Sequence, residues 1–90
     1  MNPQQLQTVR DTLLAILGAY NTRFGLQAPA LVMLARSQHS IALTEEQLIE
    51  HMEYFVDKKL AVEVTKQIVR AARAWRISPD GLTYLDEHGL

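Results

Sequence analysis

Apolar residues near the start of the chain recur three or four positions apart, which is the spacing of one face of a helix. They are Leu6, Val9, Leu13, Ile16, Leu17 and Tyr20. Asn2 can cap this helix, Gln5 completes a capping box, and Pro3 suits its first position. Gly25 is placed to end it. The pattern predicts a first helix between Pro3 and Gly25, and the same spacing places Tyr20 and Phe24 in the core.

Two more helices are predicted before residue 60. The second lies near Ala28–Ser37, with Pro29 in its first turn, where proline is tolerated. The third has the best start signal in the chain, because Thr44 is an N-cap residue and Gln47 three positions on completes a capping box. The helical pattern continues over Glu45–Lys59. Its apolar face consists of Leu48, Met52, Phe55 and Val56.

The character of the chain changes after Leu60. Ala61–Thr65 alternates apolar and polar residues and is rich in β-branched side chains, which predicts a strand. Ala74–Ile77 is predicted to be its partner. The stretch 66–73 between them contains no Gly, Pro, Asn or Asp, which is poor chemistry for a tight turn. A broad loop and a helical turn both remain open there.

A short helix is predicted to close the chain. Ser78 caps it, Pro79 takes its first position, and Gly89 is placed to end it. The predicted fold is therefore mainly α with a small β-hairpin, in the order of three helices, two strands and a fourth helix. This is the layout of a winged helix-turn-helix domain. A chain of 90 residues accommodates one domain, so residues 1–90 are expected to form a single unit.

Two stretches carry a resemblance to known winged-helix proteins. Glu50–Ala61 resembles the passage from the third helix to the first wing strand, where a pattern such as L-x-Y-L-x-x-K-G-L-V is common. Trp75–Leu85 is similar to the closing W-x-I-T-x-x-G-x-x-x-L. Over roughly residues 8–88 the chain looks like the small winged-helix proteins of Mu-like phages and prophages. The resemblance implies a nucleic-acid-associated or phage-encoded adaptor role and no enzymatic activity.

One position departs from that pattern. Where such families commonly have Gly after the lysine that ends the third helix, this chain has Lys59. A left-handed backbone there would cost a lysine about 1 kcal/mol. Either the helix runs on by a residue or the turn differs.

The net charge of −1 conceals a strong separation of charge along the chain. Residues 44–57 carry five acidic residues and no Lys or Arg, whereas residues 58–76 carry six Lys and Arg against Glu63 alone. Lys and Arg supply most of the affinity for a phosphate backbone. The candidate residues for contact with duplex DNA are Gln47, His51, Lys58, Lys59, Lys66, Arg70, Arg73 and Arg76.

The solvent face of the third helix opposes ordinary base reading. It is predicted to present Glu46, Glu50, Glu53 and Asp57. Phosphates repel such a face, and base-reading positions usually hold Arg, Lys, Asn or Gln. The first hypothesis is therefore a module that contacts nucleic acid through its basic wing. The alternative is a protein-interaction or homodimerisation module that uses the acidic helix face and the apolar first helix.

No enzyme signature is present in the sequence. The absence of cysteine excludes disulfides, Cys-ligated zinc and a thiol nucleophile. His39, His51 and His88 match no zinc spacing, and no serine lies in a G-x-S-x-G motif. We expect no metal, no cofactor and no small-molecule substrate, and we expect Trp75 to belong to the core. No signal peptide or membrane-length apolar run is apparent, so a cytoplasmic protein without a membrane partner is expected.

Overall fold

The computed structural model describes residues 2–64 and 73–90. Within these ranges the chain is mainly helical with a small antiparallel sheet, in agreement with the predicted class. The elements are α1 (Pro3–Ala19), β1 (Leu26–Gln27), α2 (Ala28–His39), α3 (Glu45–Asp57), β2 (Ala61–Glu63), β3 (Ala74–Ile77) and α4 (Pro79–Glu87).

The predicted helix starts are confirmed at α1, α3 and α4. The side chain of Asn2 accepts a hydrogen bond from the Gln5 backbone N–H at 2.8 Å, and Gln5 returns the bond at 3.1 Å. Thr44 and Gln47 form the same capping box at the start of α3. Ser78 caps α4 by accepting from the backbone N–H of residue 81. Each cap satisfies backbone N–H groups that the helix itself leaves unpaired, and contributes about 1 kcal/mol.

The predicted end of the first helix is wrong. α1 ends at Ala19, well before Gly25. The aromatic residues that follow are therefore not part of the helix, and helical spacing does not place them in the core. Tyr20 is 38% exposed and Phe24 is 75% exposed. Gly25 has φ +70° in the turn that follows, where a Cβ would meet the backbone of Trp75. Glycine is therefore required there by a close approach of two chain segments and not by a helix end.

The sheet contains the predicted hairpin pair and one strand more. β3 lies in the centre, with β1 on one side and β2 on the other, and both pairings are antiparallel. Trp75 lies opposite Leu26 in β1 and opposite Glu63 in β2. The sequence reasoning missed β1, because two residues are too few to show an alternating pattern. The open question about the conformation of 66–73 falls almost wholly on residues 65–72, which lie outside the described residues.

The core lies between the helices and the inner face of the sheet. Trp75 is fully buried, which confirms its prediction as a core residue. It packs in one cluster with apolar side chains of the first three helices, among them Leu13, Leu31 and Phe55. Complete burial of such side chains contributes roughly 2 kcal/mol each. Val56, predicted on the apolar face of α3, is instead 37% exposed at the edge of that face.

The turn after α3 settles the question raised by Lys59. α3 ends at Asp57, and Lys59 has φ +63°, so this lysine takes the left-handed conformation itself. The Leu60 N–H donates to the Phe55 carbonyl at 2.8 Å, and the Lys59 N–H donates to the Val56 carbonyl at 3.0 Å. These two bonds form a Schellman motif, which usually places glycine at this position.

The start of α4 holds that strained turn in place. The Ser78 hydroxyl donates to the Lys59 carbonyl at 2.7 Å, and the Ser78 N–H donates to the Leu60 carbonyl at 3.1 Å. Gly81 packs so closely against the Leu60 carbonyl that an added Cβ would overlap with it. One serine therefore caps α4 and fixes the passage from α3 to β2, and the geometry of this passage determines where the adjacent lysines are displayed.

Candidate functional site

The solvent side of α3 carries carboxylates alone among its charged groups. We define the acidic face as Glu46, Glu50, Glu53 and Asp57, all of which are exposed. The opposite side of the helix is buried through Leu48, Met52 and Phe55. Within residues 2–64 and 73–90, no ion pair involves any carboxylate of the acidic face. These four charges are therefore displayed to solvent, where phosphate is repelled and a cationic partner is attracted.

Two of the candidate DNA-contacting residues on α3 have internal roles. Gln47 is exposed, but its side-chain oxygen accepts the Thr44 backbone N–H at 3.0 Å, so it is committed to the helix cap. His51 is half-buried, and burial together with the nearby Arg10 lowers its pKa, while Glu50 opposes the shift. The neutral imidazole is therefore favoured at pH 7, and His51 supplies no positive charge to this helix.

Three predicted basic residues remain exposed beside α3 and on the sheet. We define the basic edge as Lys58, Lys59 and Arg76. The two lysines lie in the Schellman turn between α3 and β2, and Arg76 lies on the central strand β3 opposite the exposed Val62. Within residues 2–64 and 73–90 none of the three forms an ion pair. Lys66 and Arg70, predicted to extend this set, lie outside the described residues.

Arg73 is held by a carboxylate of the same sheet. Its Nε and a terminal guanidinium nitrogen donate to the two Glu63 oxygens at 2.9 and 3.0 Å, a bidentate pair. This hydrogen bonding to Glu63 raises the Arg73 pKa. The guanidinium also lies 5.2 Å from the Trp75 ring centre. Of the basic residues predicted for DNA contact that the structure describes, Arg73 is therefore the one whose charge is compensated by an ion pair.

Sequence reasoning missed a second cationic cluster, where α1 meets α3. The Arg10 guanidinium carbon lies 3.7 Å from the centre of the Tyr54 ring, and the Lys58 ammonium lies 5.8 Å from the same centre. Cations over an aromatic face are attracted by its quadrupole. Arg10 directly follows Val9 on the flank of the apolar face of α1, a position that any solvated arginine could occupy. No local pattern could have shown that it stacks on another helix.

A hydrogen-bonded network joins α1 to α4. The Tyr84 hydroxyl donates to Asp11 at 2.9 Å and accepts from the Gln7 amide at 3.0 Å. The same Gln7 amide donates to Asp11 at 2.8 Å. Burial and the hydrogen bond to Asp11 both raise the pKa of Tyr84. This network anchors the last helix on the first, and its side chains are engaged with one another.

The described part of the chain contains no group of three or more His, Asp or Glu side chains arranged to hold a metal ion. None of its helices has the length and apolar character needed to cross a membrane. A comparison with known protein families, with curated proteins and with solved structures finds no match. The functional proposal therefore rests on the geometry of the acidic face and the basic edge.

Proposed function

We propose that the chain is a non-enzymatic winged-helix module. The element order supports this topology, because a short β1 precedes α2 and joins the β2–β3 hairpin in a sheet of order β1-β3-β2. In this interpretation α3 is the second helix of a helix-turn-helix, β2 and β3 are the wing strands, and α4 covers the core. The phage or prophage relationship implied by the resemblance stays a prediction.

The proposed activity is association with the phosphate backbone of nucleic acid through the basic edge. The observation that carries it is the exposure of Lys58, Lys59 and Arg76 next to the hairpin, while the neighbouring Arg73 is occupied by Glu63. Contacts of this kind position a protein on a duplex without reading its sequence. The acidic face keeps α3 out of the role that a recognition helix usually has in the major groove.

Binding to duplex DNA of mixed sequence, measured at about 50 and 150 mM salt, tests this proposal, because phosphate contacts weaken steeply with salt. The double variant Lys58→Gln/Lys59→Gln should bind about a hundredfold more weakly at about 50 mM salt, and its salt dependence should fall by about two counterions. Arg23→Gln/Arg36→Gln removes two exposed charges elsewhere and is the matched control. No binding at low salt, or equal losses in both double variants, contradicts the proposal.

A second candidate function is supported by the acidic face. Four exposed carboxylates without an ion pair in the described ranges are suited to a basic protein partner, including the basic edge of a second copy. The double variant Glu50→Lys/Glu53→Lys separates the two functions: a DNA-binding protein gains affinity for duplex, whereas a protein-docking face loses its partner. Light scattering that gives a strict monomer at high concentration rules out the homodimer form.

A further inference from the structure

Two cations lie near the Tyr54 ring on α3. Neither forms an ion pair with a carboxylate within residues 2–64 and 73–90. The Arg10 guanidinium carbon and the Lys58 ammonium lie 3.7 and 5.8 Å from the Tyr54 ring centre. The two positive charges are therefore no further apart than these distances added together, about 9.5 Å. Stacking on the ring orders the Arg10 fork before any ligand arrives, so less entropy is lost when it binds one.

Arg10 also has an unsatisfied donor. Its Nε is buried and has no hydrogen-bond acceptor in the described part of the chain. A buried donor without a partner costs about 1–3 kcal/mol, and more when the group is charged. The adjacent Asp11 accepts from Gln7 and Tyr84 through its Oδ1, and it accepts no hydrogen bond from Arg10 Nε. The guanidinium forms no ion pair among the described residues, so its positive charge remains available to a ligand.

The space beside Arg10 limits the kind of ligand. A half-enclosed cavity of about 60 Å³ lies between α1, α3 and α4, with Arg10, Asp11, Tyr54 and Tyr84 in its wall and Lys58 outside it. Sites for small molecules usually have several hundred Å³. This notch is too small for a free organic substrate, so a ligand of Arg10 approaches from the solvent side. The oxygens of a phosphate suit the cations outside the notch, since they accept from an arginine fork and from a lysine.

We propose that Arg10 and Lys58, both beside the Tyr54 ring, contact backbone phosphate and so extend the basic edge onto α1. The inference rests on the proposed association with nucleic acid and adds a residue that the wing alone does not include. It makes α1 part of the contact surface, next to the side of α3 that carries Tyr54.

The Arg10→Gln variant tests the site in the full chain. Its affinity for duplex DNA should fall about tenfold at about 50 mM salt, and the salt dependence should decrease by about one counterion. The matched control is Arg36→Gln, which removes an exposed arginine from α2 and should change neither quantity by a similar amount. Tyr54→Leu keeps both charges but removes the ring, and should give an intermediate loss. Thermal unfolding of each variant checks that it is folded.

The NMR signal of the Arg10 Nε–H in the wild-type protein supplies a readout that does not need DNA. Inorganic phosphate should shift this signal saturably, while the Arg36 signal moves little and sodium acetate at equal ionic strength has a weaker effect. An equal response to acetate, or a response of Arg10 no larger than that of Arg36, overturns the proposal. Wild-type binding to DNA that is unchanged in Arg10→Gln also overturns it. If the wild type binds no DNA, the proposed function fails, and the phosphate titration alone decides the Arg10 site.

Discussion

Lys58 and Lys59 of the basic edge directly follow the acidic face of α3 in sequence, and the two surfaces differ in how regularly the fold displays their charges. On α3 the carboxylates project from a regular helix whose other side is buried, so helical periodicity sets their display. The basic residues that follow α3 and are described each have a different environment: Lys59 lies in a left-handed turn, Arg73 is paired with Glu63, and Arg76 is exposed on a strand. Counting charged residues along the sequence therefore predicts the exposed charge of the acidic face well and the exposed charge of the basic residues poorly.

The acidic and basic residues influence each other at Glu53 and Arg73, because the Glu53 charge contributes to the raised pKa of Arg73. A polyanion bound along the basic edge, as proposed, would therefore meet repulsion from the carboxylates of α3. This repulsion limits how deeply nucleic acid could approach and favours backbone contact over groove insertion.

The largest expected effect comes from Gly81→Ala, which should disturb the junction of the two regions. The added Cβ overlaps with the Leu60 carbonyl oxygen, and backbone on both sides leaves little room to relax. We expect a loss of more than about 3 kcal/mol in the free energy of unfolding, measured with urea. Gly89→Ala is the control, because its φ is +68° but no atom lies within 4 Å of the new Cβ. An equal loss in both variants would contradict the steric explanation.

Ser78→Ala should have the next largest effect. The substitution removes both the cap on α4 and the hydrogen bond to the Lys59 carbonyl, and it leaves a buried backbone group unpaired. We expect a loss of about 2 kcal/mol in the free energy of unfolding. Ser78→Thr, which retains the hydroxyl, should recover most of it. A loss confined to α4, with the amide signals of Lys59 and Leu60 unchanged, would show that the turn does not depend on this serine.

Lys59→Gly separates backbone strain from charge in the basic edge. Relief of the left-handed conformation should stabilise the protein by about 1 kcal/mol, while DNA affinity falls because one cation is lost. Lys58→Gln removes a charge from a residue with φ −85° and should give no such gain in stability. If both variants have the stability of the wild type, the turn at Lys59 is not strained.

The smallest expected effect is the pH response of His51. Its pKa is lowered in the folded state, so the unfolded chain binds the proton first as the pH falls through its ordinary value of about 6.5. The His51 contribution to stability is therefore constant at higher pH and declines as the pH falls below about 6.5 towards the folded pKa. Comparison of urea unfolding at about pH 7.5 and 5.5 with His51→Gln isolates this decline. A steeper loss in the variant would mean that Glu50 outweighs burial and Arg10.

Local features of the fold were predictable to within a few residues. The caps at Asn2, Thr44 and Ser78 and the helix-ending Gly89 depend on side chains that reach backbone groups three or four positions away. The end of α1 was not predictable from spacing, because Gly25 is also a sound helix terminator in isolation.

Of the candidate site, the sequence by itself determined the separation of acidic and basic charge and the display of the acidic face, since both follow from residue type and helical repeat. Only the tertiary structure determined which of the described Lys and Arg side chains are available to a binding partner. The pairing of Leu26 with Trp75, the Arg73–Glu63 pair and the stacking of Arg10 on Tyr54 join residues from different elements. Their geometry exists only once the core has brought those elements together, so no pattern along the chain encodes it.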